Sequence, residues 1–497
     1  MWGAPQNRFY FHWQRADTLA LIVSLLAVAL LLYLIVTMVR RASWGRVLLP
    51  WLTIVLIADI LVGYVGSGKT EGRFAAFTAA WALVAAIGCY AASRFGPSFF
   101  ERGTTILAAL AWLAPISVVQ MLLWKSWDLR PAIHRDVSHA AAANHTPVFL
   151  FLFDEWSYQR SYDGHELRPF FRNLRQLASH SLEFMDAHSQ GGTTHQSIPR
   201  LIFQREGILQ PKNGFAVWKQ GHSTVPSAKL PSIFAAARAR GYQTSLIGFY
   251  FPYRTVLGDQ VDRIVHQTYA PKGQHLSRAM VSVAAWNLHF LADPLSQLLW
   301  QRWYARTVSE NWFRMNHTWR SAVRDLVRRS DTNMFAMVHW PLPHGPFVLN
   351  EDGTYRGPFR ASRMWGTPAD YQRHLAFLDL VLGEALAELE TAGLLDRALV
   401  IVTSDHSWKL EPDSSLRAAP SARTWVPLIV KLPHQRVGYQ VPGRFCHGQL
   451  GALLQRVMDT TLTERNGLAE VGGLPSSTTC TQRVGRRAEQ RNDALSP

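Results

Sequence analysis

The chain has 497 residues, with 51 Lys and Arg against 35 Asp and Glu, a formal net charge of +16 and three cysteines. The length exceeds one ordinary domain, and the absence of any Cys-x-x-Cys argues against cysteine-based zinc chemistry. The basic residues are scattered and accompany no nucleic-acid-binding module, so the charge is read as suited to anionic headgroups or a phosphorylated substrate, not to nucleic acid.

Four apolar stretches open the chain, at 19–39, 47–65, 74–92 and 104–124. Each approaches the ~20 residues that cross a hydrocarbon core as a helix. The first ends in Arg40-Arg41 and lacks the small-residue cleavage site of a removable signal peptide. Asp59 in the second is read as paired within a bundle more than as a functional intramembrane acid. Residues 1–125 are therefore expected to form a transmembrane helical bundle of about four spans, followed by a linker at 126–145. Residues 146–466 have the composition of a globular α/β domain, and 467–497 that of a polar, disordered tail. Arg40, Arg41 and Arg46 argue for a cytoplasmic first loop, but Lys69, Arg73, Lys125, Arg130 and Arg135 leave charge counting undecided.

Strands and helices then alternate. Thr146–Phe153 reads as a buried strand, Pro169–Ser181 as helical, Leu230–Arg240 as a helix stopped by Gly241, and Gln243–Gly248 as the next strand. Val281–Arg329 is rich in Trp and Arg, and is read as a helical insertion packed on the sheet, ahead of a segment lying on the bilayer. Asn333–His339 is a strand, Tyr371–Ala392 a long amphipathic helix, and Ala398–Thr403 and Val426–Leu432 are late strands. This alternation predicts an α/β fold, a mainly parallel sheet flanked by helices. Cys446 and Cys480 are the one pair the soluble part offers, and nothing in the sequence requires their bridge.

The strand ends carry the chemistry. Val148–Phe153 ends in Asp154-Glu155, and Leu399–Val402 runs through Thr403-Ser404 into Asp405-His406. Parallel strands deliver all four side chains to one sheet edge, where open α/β sheets bind ligands. Carboxylate and neutral imidazole suit Zn²⁺ or Mn²⁺. Between them lies Gly191-Gly192-Thr193-Thr194-His195-Gln196-Ser197-Ile198-Pro199-Arg200, whose hydroxyls can enter a helix amino terminus that favours an anionic ester. His339 and His344, in the His-Trp-Pro-Leu-Pro-His-Gly-Pro segment, follow another strand.

Together and in this order, these segments resemble the sulfatase branch of the alkaline phosphatase superfamily, from about Thr146 to about Pro433. Pro169–Phe184 and Leu230–Gly248 resemble two linking motifs of that family. Tyr371–Gly383 resembles a third, with Asp379 at its acidic position, and Val426-Pro427-Leu428-Ile429 resembles the late strand. Arylsulfatases use Cys or Ser in Cys-x-Pro-x-Arg; here Cys is missing and Arg200 comes one position early. The pattern is closer to membrane-bound phosphoethanolamine transferases, and the multi-span start is shared with them and with lipoteichoic acid synthases. The resemblance implies Thr194 as nucleophile, with Ser197 the next candidate, and His344 and His339 as catalytic groups. It implies a divalent cation, Zn or Mn ahead of Ca or Mg, held by Asp154, Glu155, Asp405 and His406 with Thr194 at the open position. The expected activity is hydrolysis or transfer at a phosphate or sulfate ester of an envelope lipid or glycan, through a covalent threonine ester. The expected setting is the inner membrane, with the catalytic domain outside the cytoplasm. The alternatives are a sulfuric ester hydrolase using Ser197, and an inactive membrane scaffold or transporter with Asp59 its only hint.

Overall fold

The computed structural model describes residues 145–212, 215–221, 223–267, 296–358, 366–409, 411, 415, 422–459 and 480. The four expected spans, Asp59, the linker up to 144 and the tail apart from Cys480 lie outside these residues. Among the described residues no helix is long and apolar enough to cross a membrane. The sheet lies in a compact unit that includes Ala132–Lys272 and Val308–Gln482.

The chain enters the sheet at β1 (Val148–Asp154) and makes a small hairpin, β2 (Tyr162–Asp163) and β3 (Glu166–Leu167), before β4 (Leu182–His188). A separate antiparallel sheet follows, of β5 (Ile208–Lys212), β6 (Phe215–Gln220) and β7 (Ser223–Pro226). The main sheet resumes with β8 (Gln243–Phe249), β9 (Arg263–Gln267), β10 (Met334–Pro343) and β11 (Leu399–Ser404), and closes with β12 (Leu428–Lys431) and β13 (Tyr439–Cys446). The helices between them are α1 (Tyr158–Ser161), α2 (Arg172–Ala178), α3 (Thr194–Phe203) and α4 (Ile233–Ala239). Then come α5 (Tyr253–Leu257), α6 (Ser296–Arg328), α7 (Pro368–Thr391) and α8 (Leu450–Asp459).

The main sheet runs in the order β13-β4-β12-β11-β1-β10-β8-β9. Every strand except β12 points the same way, because β12 is antiparallel to both neighbours and all other pairings are parallel. The α/β fold expected from the alternation is therefore present, and the late strand is its one reversal. All seven residues of β1 are buried, which is why it reads as an uninterrupted apolar run instead of an alternating one. β10 continues past the expected end at His339 to Pro343, so His339 pairs with Leu152 inside the sheet and not beyond it. β4 and β13 were not legible as strands.

Two features hold the helices on the sheet. The amino terminus of α2 has no capping side chain of its own. Asp379 of α7 supplies one, accepting from the backbone N–H groups of Asn173 (3.0 Å) and Leu174 (2.8 Å) and from the Asn173 amide (3.0 Å). One turn on, Gly383 leaves room for Asn173, since a Cβ there would lie 2.4 Å from Asn173 Cγ. The acidic residue and glycine of the linking motif thus serve one contact. In α6, Trp312 and Trp319 are buried and meet Phe249 edge-on, at ring separations of 5.5 and 6.1 Å. Arg320 and Arg324 pair with Glu384 and Glu388 of α7. This part of the Trp- and Arg-rich segment is a packed insertion; residues 281–295 of it lie outside the described residues. Cys446 and Cys480 form a disulfide, which ties one residue of the tail to the end of β13.

Replacing Asp379 by Ala should cost about 2 kcal/mol, because two helix N–H groups lose their acceptor in a buried setting. Thermal unfolding of the full chain measures this, and Asp379→Asn, which keeps one acceptor oxygen, should lose less.

Candidate active site

β1 and β11 are neighbours in parallel register, with Phe153 opposite Ser404, so Asp154 and Asp405 emerge side by side. After Asp154 the chain turns at Glu155, which adopts a left-handed backbone with φ of 67°. Such a turn is unfavourable for a residue with a side chain, and the surroundings hold it. Glu155 N donates to Asp405 Oδ1 (3.2 Å), the Tyr371 hydroxyl donates to the Glu155 carbonyl (2.6 Å), and Trp156 N donates to Ser404 Oγ (2.8 Å).

Asp405 Oδ1 also accepts from His406 N at 2.8 Å, so that oxygen is fully engaged and Oδ2 carries no hydrogen bond. The same is true of Asp154 Oδ1. His406 Nδ1 lies 2.8 Å from the Ser407 carbonyl. A carbonyl only accepts, so the ring proton sits on Nδ1 and Nε2 presents a lone pair. That lone pair lies 3.5 Å from Asp405 Oδ2, 3.6 Å from Asp154 Oδ1 and 3.3 Å from Thr194 Oγ1.

Three buried acceptors, from Asp154, Asp405 and His406, therefore converge within 4.8 Å of one another. Burial raises the pKa of Asp154, and raises that of Asp405 well above its ordinary value with the Asp154 charge adding to it. Burial, followed by the positive charge of Lys409, pushes His406 well below its ordinary value. A set of inward-facing lone pairs with one hydroxyl, that of Thr194, to accept from is stabilised by a cation. Two carboxylates, one imidazole and a hydroxyl fit a divalent ion such as Zn²⁺ or Mn²⁺.

Thr194 reaches this cluster because it is the first residue of α3, with Thr193 extended before it. Ser197, one turn on, donates instead to the Thr193 carbonyl at 3.0 Å. Arg200 donates to the carbonyls of Gln190 and Gly207 and serves the loop. Asp154, Thr194, Asp405 and His406 are thus brought together. The Glu155 carboxylate does not join the cluster of three; it faces His344 Nε2 (3.9 Å) and Lys409 Nζ (3.7 Å). Lys409 is held on both sides, by Trp408 stacked on Tyr371 at 4.2 Å and by Glu411 paired with Arg160. It is a placed charge and not a freely solvated loop lysine. His339 lies fully buried behind Asp405, its pKa pushed down to about 3 by burial. Tyr371 and Ser404, which shape the Glu155 turn, lie within the motifs, but the sequence assigns them no role.

The sulfatase family model matches residues 147–441, which takes in every residue of this site. The chain belongs to the sulfatase family. No curated protein sequence matches it. Among solved structures, it is similar to Ps i-CgsB in complex with k-i-k-neocarrahexaose, at 14% identity and a TM-score of 0.43 over 65% of this chain and 74% of that one. The phosphonate monoester hydrolase of Agrobacterium radiobacter is 15% identical, with a TM-score of 0.37 over 63% of this chain and 74% of that one. The lipoteichoic acid synthase LtaP from Listeria monocytogenes is 11% identical, with a TM-score of 0.39 over 67% of this chain and 77% of that one. The family assignment makes this chain an enzyme of the hydrolase or transferase type, in a family whose members typically depend on divalent metal.

The carboxylate pair has a measurable consequence in chelator. Both folded-state pKa values lie above the ordinary 3.8, so the stability these groups contribute is complete below that pH and is lost as pH rises through the raised values. Asp405→Asn keeps the acceptor for Glu155 N and His406 N but removes the charge. In chelator its thermal midpoint should fall less steeply than the unmodified protein's as pH rises above about 4, since only Asp154 of the pair is left to lose a proton. Added Mn²⁺ or Zn²⁺ should reverse the order, stabilising the unmodified protein alone.

Proposed function

We propose that this sulfatase-family chain is an integral-membrane, metal-dependent enzyme that moves a phosphate- or sulfate-ester group through a covalent ester on Thr194, acting on an envelope lipid or glycan. One observation carries this reading: the Thr194 hydroxyl is the side-chain hydroxyl at the lone-pair cluster, 3.3 Å from His406 Nε2. The Ser197 alternative is weaker, because that hydroxyl is committed to its own helix backbone. The membrane setting rests on the four apolar stretches, and the lipid or glycan substrate on the motif resemblance to membrane-bound transferases.

Asp154, Asp405 and His406 would hold the ion, with the Thr194 hydroxyl beside them. A divalent ion there supplies charge that favours the alkoxide of a neighbouring hydroxyl near neutral pH. Thr194 Oγ1 gives up its proton to solvent and attacks phosphorus or sulfur in line. The Oγ1 bond forms as the bond to the leaving oxygen breaks, and His344 protonates that oxygen. Lys409, anchored over the rim, balances charge on the non-bridging oxygens, the main source of stabilisation for a dispersed anionic transition state. An acceptor alcohol or water then gives its proton to His344 and attacks the ester, and Thr194 Oγ1 leaves and regains a proton from solvent.

Thr194→Ala should fall to below about 10⁻³ of the unmodified rate against an aryl phosphate or aryl sulfate ester, with its thermal unfolding preserved. Ser197→Ala should keep most of its activity. The reverse pattern would overturn the nucleophile. Mass spectrometry of protein quenched during turnover should find the transferred group on the peptide containing Thr194, and its mass names the reaction.

A further inference from the structure

His339 has no exposed surface, and its Nε2 is a buried atom without a hydrogen-bond partner. Asp405 Oδ2 lies 3.9 Å away and is likewise unpartnered. Two orphaned polar atoms facing each other in a dry interior are costly and call for a reason. On the other side of the ring, His339 Nδ1 lies 2.8 Å from the Tyr253 hydroxyl. Tyr253 is itself fully buried, and burial keeps its hydroxyl protonated, so it has one O–H to give. Given to Nδ1, that hydrogen bond leaves the ring's own proton on Nε2, facing Asp405. The Phe249 carbonyl lies by the same ring and competes for its proton.

The fold is arranged to allow this contact. Tyr253 is the first residue of α5, just past the end of β8, and its ring lies over Gly248, where a Cβ would stand 2.3 Å from Tyr253 Cδ2. The Trp319 indole donates to the His339 carbonyl at 3.3 Å, pinning that part of β10 from α6.

We propose that Tyr253 and His339 are positioning residues for Asp405: the tyrosine hydroxyl selects the His339 tautomer, and His339 Nε2–H donates to Asp405 Oδ2 in the metal-bound protein. Hydrogen bonds at active sites are commonly long before ligand binding and tighten with it. The donated proton orients the carboxylate oxygen that the backbone leaves free, as outer-layer groups do for metal ligands elsewhere. His339 therefore acts on the ion's ligand and not on the substrate. The inference rests on Asp154, Asp405 and His406 being the metal ligands.

The test is affinity for Mn²⁺ alone and for Zn²⁺ alone, by chelator competition on the detergent-solubilised full chain. Loss of an outer-layer partner typically weakens metal binding by about 10- to 100-fold, and Tyr253→Phe should lose that much. His339→Gln carries an amide N–H to the place of Nε2 and should bind close to the unmodified protein. His339→Asn carries its donor to the place of Nδ1 and should bind as weakly as Tyr253→Phe. Tyr253→Phe added to His339→Gln should cost nothing further, since the amide has no tautomer to select. A merely structural role would not separate Gln from Asn. Unchanged affinity in Tyr253→Phe, or equal loss in His339→Gln and His339→Asn, overturns the inference while Asp405→Asn still loses the ion. If the unmodified protein binds neither ion any better than Asp405→Asn does, the metal-site reading fails and this inference with it.

Discussion

The structure turns on one electrostatic problem, the burial of Asp154 and Asp405 together at the carboxyl edge of the sheet. Two unit charges at ~4 Å repel by about 4 kcal/mol at an effective dielectric near 20, before the cost of taking either from water. The fold meets part of this with backbone donors, Glu155 N and His406 N on Asp405 Oδ1. It leaves Asp405 Oδ2 and Asp154 Oδ1 without any. Folding alone leaves such a pair to be relieved by a proton or by a cation. Satisfied and unsatisfied oxygens are therefore divided by purpose, one used to fix the carboxylate and the other left to bind.

That division needs rigid support, which comes from strands far apart in sequence. β1 is hydrogen-bonded to β10 on one side and β11 on the other, with Leu152 opposite both His339 and Thr403. A one-residue slip in either pairing would turn every side chain to the opposite face, and β1, β10 and β11 are buried along their whole lengths. The register is thus set by packing, and the site inherits its precision from the core. The Glu155 turn is held in the same way, by a tyrosine from α7 and a serine from β11.

The parts of this arrangement legible in sequence are those that packing makes redundant. Fully buried strands read as apolar runs, so β1 and β11 and the acids at their ends stand out. Asp379 and Gly383 keep a fixed spacing because both face Asn173. Other parts had no local signal. β4 leads into the nucleophile segment, yet its run is broken by Glu183, which accepts from Tyr162, and Asp186, which meets His188 and Arg444. Those partners are known only after folding. The reversal of β12 is equally silent, since three apolar residues and a lysine do not encode direction. Asp154 and Glu155 are adjacent carboxylates that sequence cannot tell apart. The left-handed turn between them sends one to the cluster and the other toward His344 and Lys409.

This separation of Asp154 from Glu155 orders the chemistry from inside to outside. Acceptors lie deepest, where one cation would satisfy all three at once. Thr194 stands at their edge. His344 and Lys409 come next, both nitrogen groups that can donate, with Glu155 between them. A tetrahedral anion placed against Thr194 would meet the nitrogen donors of His344 and Lys409, with the Glu155 carboxylate between them. The carboxylate outside the cluster thus sits with the two nitrogen donors and not with the acceptors, and two adjacent residues of one strand end serve opposite electrostatic environments.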